Sequence, residues 1–133
     1  MSALSDFRAA IVSRVSALSG YHECPGGDPE QIPDHWTSGF VVDLPAWTVD
    51  GDGGVVVAAG VGAVSLWYRL DQLAFEQGAW MSAWEQLRSQ LESTAWTGAG
   101  VGVIRVTSSE TRRVGDRFVG TVGFDWTLTY ARA

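Results

Sequence analysis

The last third of the sequence alternates apolar and polar residues over a length that a compact domain of this size cannot hold as one straight strand. From Phe118 to Tyr130 the even-numbered positions are aromatic, aliphatic or glycine, and most of the odd-numbered ones are polar. Thirteen such residues extend roughly 44 Å, whereas a compact chain of this length is roughly 36 Å across. The strand must bend, with Gly120 and Gly123 well placed for a bulge, or its hairpin must project toward a neighbouring chain, and the two are not exclusive.

Two segments have helical periodicity. Apolar residues recur three and four apart between Phe7 and Leu18, which predicts a first helix with Ser5 as its N-cap and Gly20 as its stop. Its opposite face carries polar residues expected to meet water or another subunit (Arg8, Ser13, Arg14 and Ser16). A second helix is predicted from about Ala79 to Ser93, with an apolar stripe and an ion pair between Glu85 and Arg88; the stripe comprises Trp80, Trp84, Leu87 and Leu91.

Five extended segments accompany the helices. The first, 40–44, is expected to end at Pro45, and a turn at 50–54 makes a hairpin with 55–59. A separate strand is predicted at 63–69, and a final hairpin joins 101–107 to 117–131 through a polar turn at 111–116. The glycines around Gly60, Gly62 and 98–102 lack a full phosphate-binding pattern and are interpreted as strand-edge residues that admit bends. This order predicts a single α+β domain, 1–133, with a mostly antiparallel sheet and helices packed on one face.

Charge and cysteine content exclude several function classes. The net charge of −6 argues against a broad basic surface for nucleic-acid backbones. A single cysteine, Cys24, excludes an internal disulfide framework. No apolar run reaches the roughly 18 residues that a bilayer span needs, and the N-terminus lacks the pattern of a secretory signal. We therefore expect a soluble, unprocessed chain.

The residues give little support for catalysis or metal binding. Both histidines, His22 and His35, lie with Cys24 in the long proline- and glycine-containing loop between Gly20 and Gly39, at spacings unlike those of zinc sites. The pair Asp50 and Asp52 lacks the glycine and glutamate of a calcium loop and is interpreted as a turn. No serine lies in a nucleophile elbow. We expect no enzyme activity, no cofactor and no metal, and the remaining small-molecule hypothesis is a pocket lined by Trp67, Trp84 and Trp126.

The arrangement resembles the tail terminator, or tail-completion, proteins of long-tailed bacteriophages and gene transfer agents. The resemblance covers nearly the whole chain: the helix 7–18, a proline-containing loop, the segment 39–43, the strand 64–69, the helix 80–91 and the closing strand 118–130. The tryptophan content and the long 20–39 loop depart from the usual pattern. That family has no catalytic residues to carry over.

The resemblance implies a structural virion protein, made in the host cytoplasm and located in the neck of the particle. Family members form a ring, commonly a hexamer, that caps the tail tube and joins it to the head, so the implied partners are copies of the chain itself, the tail tube protein and the head-completion protein. DNA would be only a passing cargo, and no membrane is involved. A closed ring needs two different complementary patches on each subunit, for which a long hairpin and surplus aromatic residues are suited.

Six residues are candidates for these contacts. Asp50 and Asp52 are interpreted as acids that face the channel and repel DNA phosphates. Trp36, Trp47, Arg112 and Arg113 are candidate contacts with other subunits or partners. Two alternatives stay open: another small connector, such as a head-completion or stopper protein, and a monomeric ligand-binding domain.

Overall fold

The computed structural model describes residues 2–18, 21–25, 38–69, 77–92, 96, 100–115 and 117–131, with the backbone alone at 38, 52, 69 and 77–79. They form two helices and four strands, which confirms the predicted α+β class with a mostly antiparallel sheet and an N-terminal helix. The elements in chain order are α1 (Ala3–Ser16), β1 (Ser38–Asp52), β2 (Val55–Arg69), α2 (Gln77–Glu92), β3 (Val101–Val114) and β4 (Arg117–Ala131).

The four strands make one antiparallel sheet in the order β1-β2-β4-β3. Each strand has 14 or 15 residues, so the sheet is roughly 50 Å long. The long β4 strand therefore neither projects alone nor breaks at its glycines. It pairs with β2 without a register shift from Arg117 to Ala131, and the bulge lies in the neighbouring strand, between Val106 and Ser108 of β3.

The predicted boundaries of β1, β2 and β3 are wrong, and each of these three strands is longer than predicted, whereas β4 has the predicted bounds. β1 continues through Pro45, because the proline lies on an edge strand at a register shift between Asp43 and Ala46, where a missing N–H is tolerated. The segments 55–59 and 63–69 are one strand, β2. The predicted turn at 111–116 is mostly strand, since β3 runs to Val114 and reverses at Gly115.

Glycines inside the sheet serve close packing. A Cβ on Gly60 would meet the backbone of Ala46 and Trp47, and one on Gly120 would meet the Trp80 ring. The glycines that provide conformational freedom are in the turns: Gly53 and Gly54 have φ of 64° and 92° and close the β1–β2 hairpin. The predicted hairpin turn at 50–54 is thus correct, with the reversal at its last two residues.

Both helices lie on the same face of the sheet, called here the helix side, and their apolar stripes form the core with it. α1 contributes Phe7, Ile11 and Val15, and α2 contributes Trp80, Ala83, Leu87 and Leu91. The strands contribute alternate residues, among them Val122, Phe124, Trp126 and Leu128 of β4, each at most 2% exposed. The predicted helix-side alternation of β4 is therefore correct.

The ends and polar contacts of the helices differ from prediction. Ser2, not Ser5, caps α1, since its hydroxyl accepts from the Ser5 N–H at 3.0 Å. Arg88 forms an ion pair at 3.0 Å with Glu92, which lies one helical turn further along α2, and not with Glu85 as predicted. Arg14 does not face water alone, because its guanidinium lies 3.7 Å from the centre of the Trp96 ring. Gly20 lies outside the described residues.

Candidate interaction surfaces

The first half of edge strand β1 is covered by the chain itself. Phe40 N–H donates to the His22 carbonyl at 2.8 Å, and the Phe40 carbonyl accepts from Cys24 N–H at 2.8 Å. The guanidinium of Arg8 donates to the Val42 carbonyl at 2.9 Å. Both backbone groups of Phe40 and the carbonyl of Val42 therefore have partners, which hinders another strand from pairing with this part of the edge.

The first half of edge strand β3 is covered in the same way. Gly102 and Trp96 exchange two backbone hydrogen bonds, at 2.8 and 2.7 Å. Further along, the carboxylate of Glu92 accepts from the Val106 N–H at 2.7 Å, and the Trp84 indole donates to the Ser108 carbonyl at 3.1 Å. Two side chains of α2 thus bind backbone groups of β3 along this edge, and Glu92 takes the outward N–H of Val106.

The Glu92 carboxylate is held in its charged form by these contacts. The hydrogen bond from the Val106 N–H lowers its pKa below the usual carboxyl value, and the neighbouring Arg88 lowers the pKa further. Because this pKa is lowered on folding, the interaction stabilises the folded state above the usual carboxyl pKa and is lost as the pH falls through the folded-state pKa.

The second half of each edge strand is open. We call residues 46–52 the β1 open segment and residues 109–114 the β3 open segment. Along an antiparallel edge strand, every second residue points its backbone N–H and C=O away from the sheet. In the open segments these outward residues are Trp47, Val49 and Gly51 of β1 and Ser109, Thr111 and Arg113 of β3. Within the described part of the chain, no backbone partner binds these outward groups. With respect to the described residues, each open segment is therefore a free strand edge.

The two open segments lie at opposite ends of the sheet and carry opposite charges. The β1 open segment contains Asp50, whose side chain is exposed, and Asp52, described by its backbone alone. The β3 open segment contains Arg112 and Arg113, both exposed, together with Glu110. When the positions of Asp50 and Arg112 are followed across the sheet to the residues aligned with them on β2, those two positions are ten residues apart. This separation corresponds to roughly 34 Å along the strand. The acidic and basic candidates therefore cannot pair within one chain.

Trp47 is the most exposed of the described tryptophans and lies in the β1 open segment. Its ring is 47% exposed and its centre lies 6.5 Å from that of the buried Trp126. It lines a pocket of about 370 Å³ between α1 and β1, whose other polar lining includes Arg8 and Asp43. Trp36, the other tryptophan proposed as a contact, lies outside the described residues.

A second, smaller depression lies beside the β3 open segment. Trp80, Met81 and Trp84 of α2 line a groove of about 330 Å³ that reaches Ser109. The Trp80 indole donates to the Ser109 hydroxyl at 3.0 Å, so this tryptophan is held in place, whereas Met81 is exposed. The groove is apolar and borders the point at which the covered half of β3 becomes open.

The three tryptophans proposed to line one ligand pocket do not share a cavity. Trp126 is on the helix side of the sheet and is 2% exposed, and its indole donates to the Val61 carbonyl at 3.0 Å. Trp67 lies on the opposite side, paired with Val119. Trp84 lies on α2 and bonds to β3. The predicted pocket is wrong because two of its members are on adjacent strands but on opposite faces.

The side of the sheet away from the helices is rich in valine and threonine, and many of these residues are exposed, although Val119 on this side is fully buried. Its exposed apolar residues are Val55, Val57 and Val61 of β2 and Val101, Val103 and Val114 of β3. Asp125 and Arg105 face each other across β4 and β3 in the middle of this surface. The mixture of β-branched and charged side chains is typical of a sheet face that meets water or another protein.

The described residues contain no group of three or more histidine, cysteine or acidic side chains that could hold a metal ion. Cys24 is buried and His22 is exposed, while His35 lies outside the described residues.

Burial raises the pKa of Tyr68 and of Tyr21, which share a hydrogen bond. Neither described helix is long and apolar enough to cross a membrane.

Residues important for the edges were not identified from the sequence. Neither Glu92 nor Trp96 is among the residues that the sequence singles out. A signal existed for Glu92: an acid at the helix C-terminus, where the dipole disfavours it, calls for a specific partner.

No protein-family model matches the chain, and a search of curated proteins finds no significant similarity.

Proposed function

We propose that this chain is a structural protein of a long-tailed phage or gene transfer agent particle. It assembles into a ring, with six copies as the expected number, that caps the tail tube and joins it to the head. The observation that carries the proposal is the pair of open segments, which are different, oppositely charged and at opposite ends of the sheet. A ring requires such a heterologous contact, in which two different patches of each subunit meet.

The electrostatics of a ring suit the passage of DNA. Six copies of a chain with net charge −6 carry a charge of −36, which repels DNA phosphates and keeps the duplex from adhering. The sequence interpretation assigned Asp50 and Asp52 to the channel. The position of Asp50 on a free strand edge favours a subunit contact for this residue instead.

A ligand-binding domain is the alternative from another class. The pocket of about 370 Å³ beside Trp47 is of the size that small molecules occupy. Light scattering on the purified protein separates the two functions, since the ring requires self-association and the ligand-binding domain does not. A head-completion or stopper protein is the closer alternative, and gene order distinguishes it, because a terminator gene typically precedes the major tail protein gene.

The direct test is the phenotype of particles made without this protein. We expect overlong or headless tails, restored to normal length and joined to heads when the protein is supplied in trans. Electron microscopy of the purified protein should show closed rings. Particles that lack the protein and yet carry tails of normal length attached to heads contradict the proposal.

A further inference from the structure

The open segments expose alternate N–H and C=O groups, the arrangement that accepts an additional strand. In β1 these groups belong to Trp47, Val49 and Gly51, and in β3 to Ser109, Thr111 and Arg113. Native proteins usually block long free edges, and this chain does so over the first half of both edge strands. The unblocked halves therefore differ from the rest of the edges in a way that fits strand addition.

Charge indicates which strand each open segment accepts. Pairing two β1 open segments brings acids together, since each contributes Asp50 and Asp52. Pairing two β3 open segments brings Arg112 and Arg113 of both copies together. Only the mixed pair brings segments of opposite net charge together, because the two acids of the β1 open segment meet a segment in which two arginines outweigh Glu110. Opposite charges across strands stabilise pairing, whereas like charges destabilise it. We infer that the β1 open segment of one copy pairs antiparallel with the β3 open segment of the next.

The side-chain directions of the two segments agree with an antiparallel pair. The outward residues of both carry their side chains on the helix side, so the sheet continues from copy to copy with all helices on one face. Placing Asp50 opposite Arg112 puts Val49 opposite Arg113 and Gly51 opposite Thr111. The same register sets Asp52 opposite Glu110 at the end of the ladder, a like-charge pair that opposes the attraction between Asp50 and Arg112 and is weakened by salt. A shift of the ladder that puts Asp50 opposite Glu110 loses this match.

The contact repeats from copy to copy, because each chain has one segment of each kind at opposite ends of the sheet. Neighbouring copies are offset by roughly 34 Å along the strands. A heterologous contact of this kind generates a closed ring or an open helix, depending on the rotation between copies. The inference rests on the proposed function for ring closure, but strand pairing itself can be tested independently.

Proline at an outward position tests the strand pairing most sharply. Val49→Pro and Thr111→Pro remove an N–H that points away from the sheet, so the internal ladder keeps its hydrogen bonds. The matched controls Val49→Thr and Thr111→Val retain that N–H. In sedimentation velocity, we expect the proline variants to need about tenfold or more protein to reach half assembly, with the controls unchanged and the circular dichroism spectra of all four unaltered.

Charge exchange tests the choice of partner and does not depend on proline being tolerated. Asp50→Arg and Arg112→Asp should each weaken assembly several-fold, and the double variant should restore it. The matched control exchanges Asp125 and Arg105, which face each other in the covered half of β3, and it should leave assembly unchanged.

The outcomes separate this inference from the proposed function. A chain that stays monomeric throughout its soluble range overturns the inference, as does assembly that neither proline variant nor charge exchange disturbs. Rings that still form with the two proline substitutions and with Asp50→Arg and Arg112→Asp would leave the ring function standing and rule out only this interface. Filaments that dissolve on Val49→Pro support the strand pairing and contradict closure into a ring.

Discussion

The first and second halves of the two edge strands belong to the same continuous strands but have different surroundings. At the start of β1 and β3, strand-edge groups are bound by the chain's own backbone and side chains, including Arg8, Glu92 and Trp84. In the open segments the outward groups have no backbone partner among the described residues. Among the described residues, contacts within the chain thus cover the starts of both edge strands and leave the outward backbone groups of the open segments without backbone partners.

The largest expected effect contrasts the two tryptophans of the Trp47–Trp126 pair. Trp126→Ala should destabilise the fold by about 3–5 kcal/mol, because it empties a buried site and removes the bond to the Val61 carbonyl. Trp47→Ala should cost about 1 kcal/mol or less, since nearly half of its side chain is already exposed. Urea denaturation under monomeric conditions measures both. Equal losses would show that the β1 open segment belongs to the core.

The next largest loss of stability is expected for Gly120→Ala. The added methyl group meets the Trp80 ring, and overpacking at such a contact costs about 1–3 kcal/mol. Gly53→Asn is the control in the exposed β1–β2 turn, where φ is 64° and asparagine tolerates the left-handed conformation, so its effect should stay within about 0.5 kcal/mol. A neutral Gly120→Ala, measured by thermal unfolding, would contradict the close packing of α2 on β4.

Glu92→Gln should cost about 1 kcal/mol at neutral pH, because a charged acceptor bonds the Val106 N–H more strongly than an amide, with the gain reduced by partial exposure. The difference between wild type and variant should shrink as the pH falls through the lowered pKa of Glu92. Glu85→Gln, on an exposed residue of the same helix, is the control. A difference that persists unchanged at low pH would contradict a role for the Glu92 charge.

The smallest effect is expected at Arg112. Arg112→Ala should change the stability of the monomer by less than about 0.5 kcal/mol, because its exposed side chain has no intramolecular hydrogen bond or ion pair among the described residues. The measurement is chemical denaturation at concentrations below assembly. A larger loss would mean that the β3 open segment is stabilised within the chain, and would blur the contrast between covered and open edges.

Periodicity predicted the fold class, both helices and the helix-side residues of β4, because burial on one face leaves a regular pattern in the sequence. It underestimated strand lengths wherever a local signal suggested a stop. Pro45 is accommodated by an irregularity on an edge strand, and residues 111–114 are exposed strand, with no apolar alternation to reveal them. Edge coverage could not be predicted, since Glu92 and Trp96 reach β3 only through tertiary packing.

The strand order has a consequence for how the protein is made. β4 lies between β2 and β3, so the hairpin of β1 and β2 has no sheet neighbour until residues 117–131 have left the ribosome. Contacts between β2 and β4 join positions up to 76 residues apart, such as Val55 and Ala131, and distant pairings of this kind slow folding. The nascent chain therefore carries an incomplete, aggregation-prone hairpin from the completion of β2 at Arg69 until β4 is made, and the final strand converts two halves into one sheet.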